Sequence, residues 1–426
     1  MALDLYHRLQ QLQKARERGQ TPGGTGARAQ PASSEATEHE RGSEGVERSA
    51  AEERAEERAR APIPGWEALG EFVYRRVERS APLEHDIGLL RDAFLLPRDT
   101  PPERLCFYDL ETTGLSAGAG TLAFLCGVGR VQADGSVEVV QLFLADYPGE
   151  PRFLRELSAL FADADLLVSY NGKAFDMNIL RNRYIMNRLE PPALGEVDLL
   201  YPTRRLYGGR LERCGLTEVG TQLLGLERDG DLPGSMVPDA YLDFLKAGDR
   251  RLLDNVFRHH VHDIVTLPML LLEIEAEVAR VKRGEDPGRV DGFELGRMLA
   301  ERARDGFDVQ AAERLLWSLL SNGEHTGRAA RSVSVGRYLG RHHRRKREWE
   351  HARTAWETLV SRWRVVSAAI ELSKYFEHRS RELTRARDTL QAALSWPHSR
   401  VYREDIRYRL ARIERKIAGT ARSQSE

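Results

Sequence analysis

Short apolar runs alternate with amphipathic stretches between residues 104 and 207. RLCFYDLE (104–111) is apolar up to an acidic end and predicts a buried strand. TLAFLCGVGRV (121–131) and SVEVVQLFLAD (136–146) predict two more, with Ala-Asp-Gly as the hairpin turn between them. EPRFLRELSALFAD (150–163) carries a proline in its first turn and reads as a helix. DLLVSYNG (165–172) is a strand closed by Asn-Gly, AFDMNILRNRYIMNRL (174–189) a helix, and EVDLLYPTRRLY (196–207) a short strand running into a helix. Three strands, helix, strand, helix, strand, then helices predict a mixed sheet flanked by helices, an α/β layer fold.

Residues 211–280 read as helical, with PGSMVP as a loop among them. Further on, a repeat emerges. Ala352 and Ala386 are separated by the same interval as Trp356 and Leu390, and VGRYLGRHHRRK aligns with AAIELSKYFEHR at that offset. The interval is 34, and small residues inside paired helices at a period of 34 carry the tetratricopeptide pattern. At the other end, apolar residues at 3, 5, 9 and 12 predict a short amphipathic helix over 1–18. Residues 19–61, with runs such as AEERAEERARA, hold almost no large apolar side chains and predict a disordered linker. The expected organisation is thus helix 1–18, linker 19–61, an α/β domain over 62–285 and a helical repeat region over 286–426.

Composition narrows the class. Hydrophobic residues make up 41% of the 426 and charged residues 30%, enough for a sizeable core in a soluble chain. The longest apolar runs, such as LPMLLLEI, fall far short of the roughly 20 residues of a membrane span. The N-terminus has no apolar signal-peptide core. Three cysteines, Cys106, Cys126 and Cys214, with no CxxC, fit a reducing cytoplasm and neither a disulfide framework nor a zinc knuckle. Net charge is −1, yet residues 331–426 carry 23 Lys and Arg against 11 Asp and Glu. Either that end faces something anionic, or its arginines solvate helix surfaces.

Candidate chemistry begins at FYDLETTGL. Side chains at i and i+2 of a strand share a face, so Asp109 and Glu111 project together from the strand's end. Two ionised carboxylates this close call for a cation between them; the plain alternative is one surface acid and one helix cap. In SYNGKAFD, Asp176 sits in the first turn of a helix, where capping alone would also favour an acid. In FRHHVHDIVTL, Asp263 lies among apolar residues one turn after His259. Three clustered histidines also admit zinc, although no further ligands stand out.

These segments resemble the three motifs of the DEDD exonuclease superfamily: FYDLETTGL the first, YNGKAFD the second, HHVHDIVTL the third. More narrowly, residues 100–275 resemble the YprB-like branch of ribonuclease H-like proteins, through DLLYPTRRLYG, CGLTEVGTQLLGLER and DLPGSMVP, and the helical tail with AAIELSKYFEHR fits that branch. The resemblance implies a ribonuclease H-like fold. It also implies a two-metal 3′→5′ exonuclease in which Asp109, Glu111, Asp176 and Asp263 hold two Mg²⁺ or Mn²⁺ ions, hard cations suited to oxygen ligands. The superfamily's fifth residue is a histidine five before the last Asp, or a tyrosine four before it. Here those positions hold Arg258 and His259, so His259 is the expected base, with His260 second. By the same resemblance Thr112, Thr113, Gly114 and Leu115 receive the terminal nucleotide.

Asn171 is a further candidate for substrate contact. Arg204 and Arg205, beside Tyr207, are expected at the phosphates of a single-stranded end, or else as plain helix-surface charges. Nucleic acid is the expected partner, with a protein docked on the repeats as a second. Two functions compete: a metal-dependent exonuclease, and a weakly active or inactive nucleic-acid-binding scaffold whose repeats recruit a protein. The full carboxylate set favours the first; the departure at the fifth residue favours the second.

Overall fold

The computed structural model describes residues 63–114, 120–227, 233–302, 309–322 and 329–423. The N-terminal helix and linker expected over 1–61 lie outside these residues. A single seven-stranded sheet organises the first half: β1 (Glu67–Gly70), β2 (Val73–Arg79), β3 (Leu105–Thr112), β4 (Ala123–Val131), β5 (Val137–Leu144), β6 (Leu166–Ser169) and β7 (Gly195–Asp198). Their spatial order is β1-β2-β5-β4-β3-β6-β7. β3 pairs antiparallel with β4 and parallel with β6, and β7 extends the parallel edge. This is the mixed sheet the pattern predicts.

The hairpin β1–β2 is an addition that the sequence pattern did not announce. β2 reads VYRRVER, with arginines at 75, 76 and 79 and half-buried or exposed positions through its second half, so it lacks the apolar run of the other strands. Its partner supplies what its own composition lacks, because it pairs along its whole length with β5. Trp66, just before β1, packs its ring 4.6 Å from that of Phe257, which fastens the hairpin to the helix described next.

Helices α1 (Glu150–Phe161), α2 (Asp176–Met186), α3 (Leu200–Tyr207), α4 (Val237–Ala247) and α5 (Leu253–Lys282) flank the sheet. α5 runs for 30 residues, buries Val256, Phe257, Ile264, Leu267, Leu270 and Leu271, and lies against β3, β4 and β5. Two further helices, α6 (Gly292–Glu301) and α7 (Val309–Asn322), bury Leu295, Leu299, Ala312 and Leu315 in the same cluster as Phe107 and Val168 of the sheet. The core is therefore continuous across residue 285.

A separate core forms in α8 (Ala329–Lys346), α9 (Trp349–Trp363), α10 (Val366–Tyr375), α11 (Leu383–Ala393) and α12 (Arg403–Ser423), around Trp356, Leu359, Ile370, Phe376 and Leu390. Ala352 and Ala386, one period apart, are both fully buried there. The backbone keeps a finer period. Arg347, Arg364, Arg381 and His398 all have positive φ, between 51° and 65°, and recur at every seventeenth position. Each falls between two helices, so one helix plus one left-handed turn makes half a period, and a helical pair makes the whole. At Arg347 the turn is a Schellman cap: Glu348 N–H donates to His343 C=O at 2.9 Å and Arg347 N–H to Arg344 C=O at 3.2 Å.

A left-handed residue with a Cβ carries a strain of roughly 1–2 kcal/mol. Arg347 is exposed. Arg347→Gly is therefore expected to raise stability by about 1 kcal/mol, part of the relief being offset by the freer unfolded chain. Urea unfolding of the two proteins checks this; a lower midpoint for the glycine variant would contradict it.

Candidate active site

Three elements converge at the end of β3. Asp109 and Glu111 leave the same face of that strand, both half-buried, while Leu105–Tyr108 before them are fully buried. Asp176 opens α2 and is buried, and Asp263 is buried in the first half of α5. Burial first, then the charges of Asp176, Glu111 and Asp263, push the Asp109 carboxyl well above the usual carboxylate range. Glu111 is pushed up to about 8, mainly by burial and further by Asp263 and Asp176, against the opposing pull of His259. Asp176 rises to about 7 through burial and the charges of Glu196 and Asp198. Asp109 thus feels the other three.

They form a loose cluster. Among the described residues, the group whose ligand atoms all lie within 4.8 Å of one another is a different one, His343, Glu348 and His351, in the helical region. Acidic oxygens from three chain segments, buried or half-buried, are donors of the hard kind that Mg²⁺ and Mn²⁺ prefer, so the residues fit such ions.

Two glycines allow the convergence. A Cβ at Gly127 would stand 2.6 Å from His260 Cε1 and 2.8 Å from Ile264 Cγ1, and one at Gly129 would stand 2.5 Å from Ile264 Cγ2. Both lie on β4, with Gly127 opposite Asp109. Without side chains there, α5 rests directly on the sheet, and Asp263 is carried to Asp109. CGVG in the sequence marks a strand with alternate glycines, but only the helix above explains them.

His260 fastens the same contact. It is fully buried, and its Nδ1 lies 3.0 Å from Gln141 Nε2 while its Nε2 lies 3.1 Å from the Asp109 carbonyl oxygen. An amide nitrogen only donates, and Gln141 Nε2 also donates to Phe257 C=O at 2.9 Å. His260 therefore accepts at Nδ1 and donates from Nε2–H to Asp109. Burial holds its pKa down to about 4, so it is neutral. Both ring nitrogens are committed to structure, which separates it from His259. His259 sits half-buried at the rim, 3.1 Å from Asp263 Oδ2 and close enough to Glu111 to lower its pKa.

The loop before Asp176 is equally specified. Asn171 has φ +67°, a conformation asparagine tolerates better than most residues. Its N–H donates to Asp198 Oδ1 at 2.8 Å, and Leu200 N–H donates to the same oxygen at 3.0 Å. A Cβ at Gly172 would collide with Ser169 Oγ at 2.6 Å. Nearby, Tyr108 Oη donates to Glu196 Oε1 at 2.6 Å. Asp198 and Glu196, absent from the motif reading, thus brace the loop and add negative charge beside Asp176. Asp198 Oδ2 is buried without a hydrogen-bond partner.

The remaining candidates divide. Thr112 Oγ1 donates to Gly114 C=O at 2.8 Å, and Thr113 Oγ1 accepts from Leu122 N–H at 3.0 Å, so both hydroxyls hold the turn itself. A Cβ at Gly114 would meet Thr121 Oγ1 only at 3.6 Å, an ordinary contact, so the turn does not demand glycine for space. Leu115 lies outside the described residues. Arg204 is exposed. Arg205 is turned to α6, donating to Glu294 Oε2 at 3.2 Å and Glu301 Oε2 at 3.0 Å, and joins the sheet domain to the helices that follow.

A description of the RNase H superfamily matches residues 106–274, a span that contains all four carboxylates. The ribonuclease H-like fold expected from the motifs is thus the fold observed. A protein of Bacillus subtilis (strain 168) named uncharacterized protein YprB is 29% identical over 322 residues, covering 74% of this chain and 75% of that protein. The family B DNA polymerase of the archaeon Pyrobaculum calidifontis shares 15% identity over 47% of this chain and 29% of its own, at a TM-score of 0.31. An exonuclease I solved with the inhibitor BCBP shares 14% over 68% and 98%, at a TM-score of 0.26. At such scores the fold rests on the sheet order and the superfamily match. Among the described residues, no helix is long and apolar enough to cross a membrane.

Two outcomes are expected. Gly127→Ala forces α5 off the sheet and is expected to cost about 1–3 kcal/mol, the usual range for overpacking, readable by urea unfolding. A cost near zero would mean that the helix does not rest on that glycine. The second concerns pH. Carboxyls whose folded pKa is raised bind protons more tightly folded than unfolded, so their contribution to stability is lost as pH rises. For Glu111 that window runs from about 4.5 to about 8, and for Asp176 from about 3.8 to about 7. A divalent ion that replaces those protons gains most where they have left. The rise in melting temperature on adding Mn²⁺ to chelator-treated protein is thus expected to be larger at pH 8 than at pH 6; an equal rise would place the ion elsewhere.

Proposed function

We propose that the protein is a metal-dependent nuclease that removes nucleotides from the 3′ end of a nucleic acid. The observation that carries this reading is the convergence of Asp109, Glu111, Asp176 and Asp263, from three separate segments, into one electrostatic unit inside an RNase H superfamily domain. Acids that raise one another's pKa this strongly are a cost to the fold, and cation binding is the chemistry that repays it. Two Mg²⁺ or Mn²⁺ ions, when bound, supply an ionised water for attack and stabilise the leaving 3′-oxygen.

The chain's own residues then have distinct tasks. By the motif resemblance, Asp109, Glu111 and Asp263 would hold one ion, and Asp109 and Asp176 would hold the other. His259, at the rim and hydrogen-bonded to Asp263, takes the proton of the attacking water. His260 orients Asp109 by its hydrogen bond to that residue's carbonyl and has no free nitrogen for proton transfer. The turn at Thr112–Gly114 lies beside the carboxylates and receives the terminal nucleotide through its backbone. Arg204 is the better of the two arginines for a phosphate contact, since Arg205 is engaged by Glu294 and Glu301. The 3′→5′ direction rests on the motif resemblance. The paired helices, at their period of 34, fit tetratricopeptide-like repeats, and a protein partner on them is compatible with an active nuclease.

A scaffold without catalysis is the rival, and the departure at the fifth residue, Arg258 and His259 in place of the usual His or Tyr, is what favours it. Purified wild type, Asp109→Ala and His259→Ala, incubated with end-labelled single strands of DNA and of RNA in Mn²⁺, separate the two. The expected result is metal-dependent shortening that disappears in Asp109→Ala. In His259→Ala the rate should fall by roughly 10²–10⁴, the usual worth of a general base, with little change in the Mn²⁺ concentration at half-maximal rate. Wild type that binds strands but leaves them intact would establish the scaffold instead.

A further inference from the structure

We propose that His343, Glu348 and His351 form a second metal site, for a nitrogen-preferring ion of the Zn²⁺ class, at the turn between α8 and α9. One ligand atom of each residue lies within 4.8 Å of the other two. His343 stands in the last turn of α8, Glu348 immediately precedes α9 and His351 belongs to its first turn, so the Schellman turn at Arg347 gathers all three. His343 is fully buried, and its Nδ1 lies 2.7 Å from Glu348 Oε2. Its Nε2 is also buried and has no hydrogen-bond partner, an uncommon state for a ring nitrogen away from water. The His343 ring is held by stacking, 5.8 Å from Trp317 and 5.0 Å from His351, both inclined by 26°. His351 itself is exposed.

Two imidazoles and a carboxylate are a donor set that zinc accepts, leaving a fourth position for water. The ion expected at Asp109 is different in kind, since that site offers carboxylate oxygens and suits harder cations. Ligand atoms on a tetrahedral zinc are roughly 3.3 Å apart, given bonds of about 2.0 Å. The 2.7 Å contact between His343 Nδ1 and Glu348 Oε2 is a hydrogen bond, so zinc would displace the shared proton and open that pair to about 3.3 Å, while the exposed His351 ring closes the third side. Lys346 Nζ lies 3.1 Å from Glu348 Oε1, which leaves Oε2 as the oxygen facing the histidines. The ammonium also weakens the attraction for a cation, so the site should bind zinc less tightly than a cysteine-ligated one. A bound ion ties the end of α8 to the start of α9 across a left-handed arginine.

Chelator-treated full-length protein titrated with Co²⁺ in excess Mg²⁺ tests the assignment, since tetrahedral Co²⁺ with nitrogen ligands absorbs visibly and Mg²⁺ occupies oxygen-only sites. One equivalent of absorbing Co²⁺, displaced by Zn²⁺, is expected in wild type and in Asp109→Asn. The band should disappear, or its affinity fall at least about tenfold, in His351→Ala, whose exposed side chain can be removed with circular dichroism unchanged. Glu348→Gln should weaken binding as well. Unchanged Co²⁺ affinity in His351→Ala, or no absorbing complex in wild type, would overturn the proposal.

Discussion

The burial of Asp109, Glu111, Asp176 and Asp263 beside one another is the constraint around which β3 and its neighbours are arranged. In water these acids would be ionised at neutral pH and indifferent to one another. Gathered at the end of β3, Asp109, Glu111 and Asp176 have their proton affinity raised by burial first and by neighbouring acids second, and the folded chain carries that cost unless a cation takes the protons' place. A fold does not keep such a cluster for stability. The rest of the domain is organised so that the cluster forms despite its cost.

Rigid supports do this, and most lie outside the acidic motifs. Gly127 and Gly129 let α5 lie flat on β4; Gln141 and His260 tie that helix to β3 and β5; Trp66 locks the N-terminal hairpin onto Phe257. On the other side Asp198 and Glu196 hold the Asn171–Gly172 loop that delivers Asp176. The energy to oppose the gathered charges comes from packed aromatic and aliphatic side chains and from hydrogen bonds away from the site.

The helical half follows a simpler rule. A left-handed residue at every seventeenth position ends one helix and aims the next, and the buried alanines at 352 and 386 let neighbouring helices approach. Its first members, α6 and α7, share a core with the sheet, and Arg205 adds a paired charge across the same junction. The α/β half and the helices that follow are therefore packed against one another through α6 and α7.

Local chemistry was legible without coordinates. The i, i+2 spacing of Asp109 and Glu111 after an apolar run, the Asn-Gly turn before Asp176, and an acid buried on an apolar helix all announce themselves because strand and helix periodicities are short-range. The helical repeat is legible for the same reason. Contacts between segments far apart in the chain were not. The roles of Gly127 and His260 depend on α5 meeting β3 and β4, elements distant from it in sequence. The β1–β2 hairpin owes its place to β5 and not to its arginine-rich sequence, and Arg205 is engaged by Glu294 and Glu301 where the sequence left phosphate contact and plain helix-surface charge both open. Sequence determined which residues could carry charge and which segments would be strand or helix; tertiary structure decided which charges meet, because burial and proximity, the two quantities that shift a pKa or commit an arginine, exist only once the chain has closed on itself.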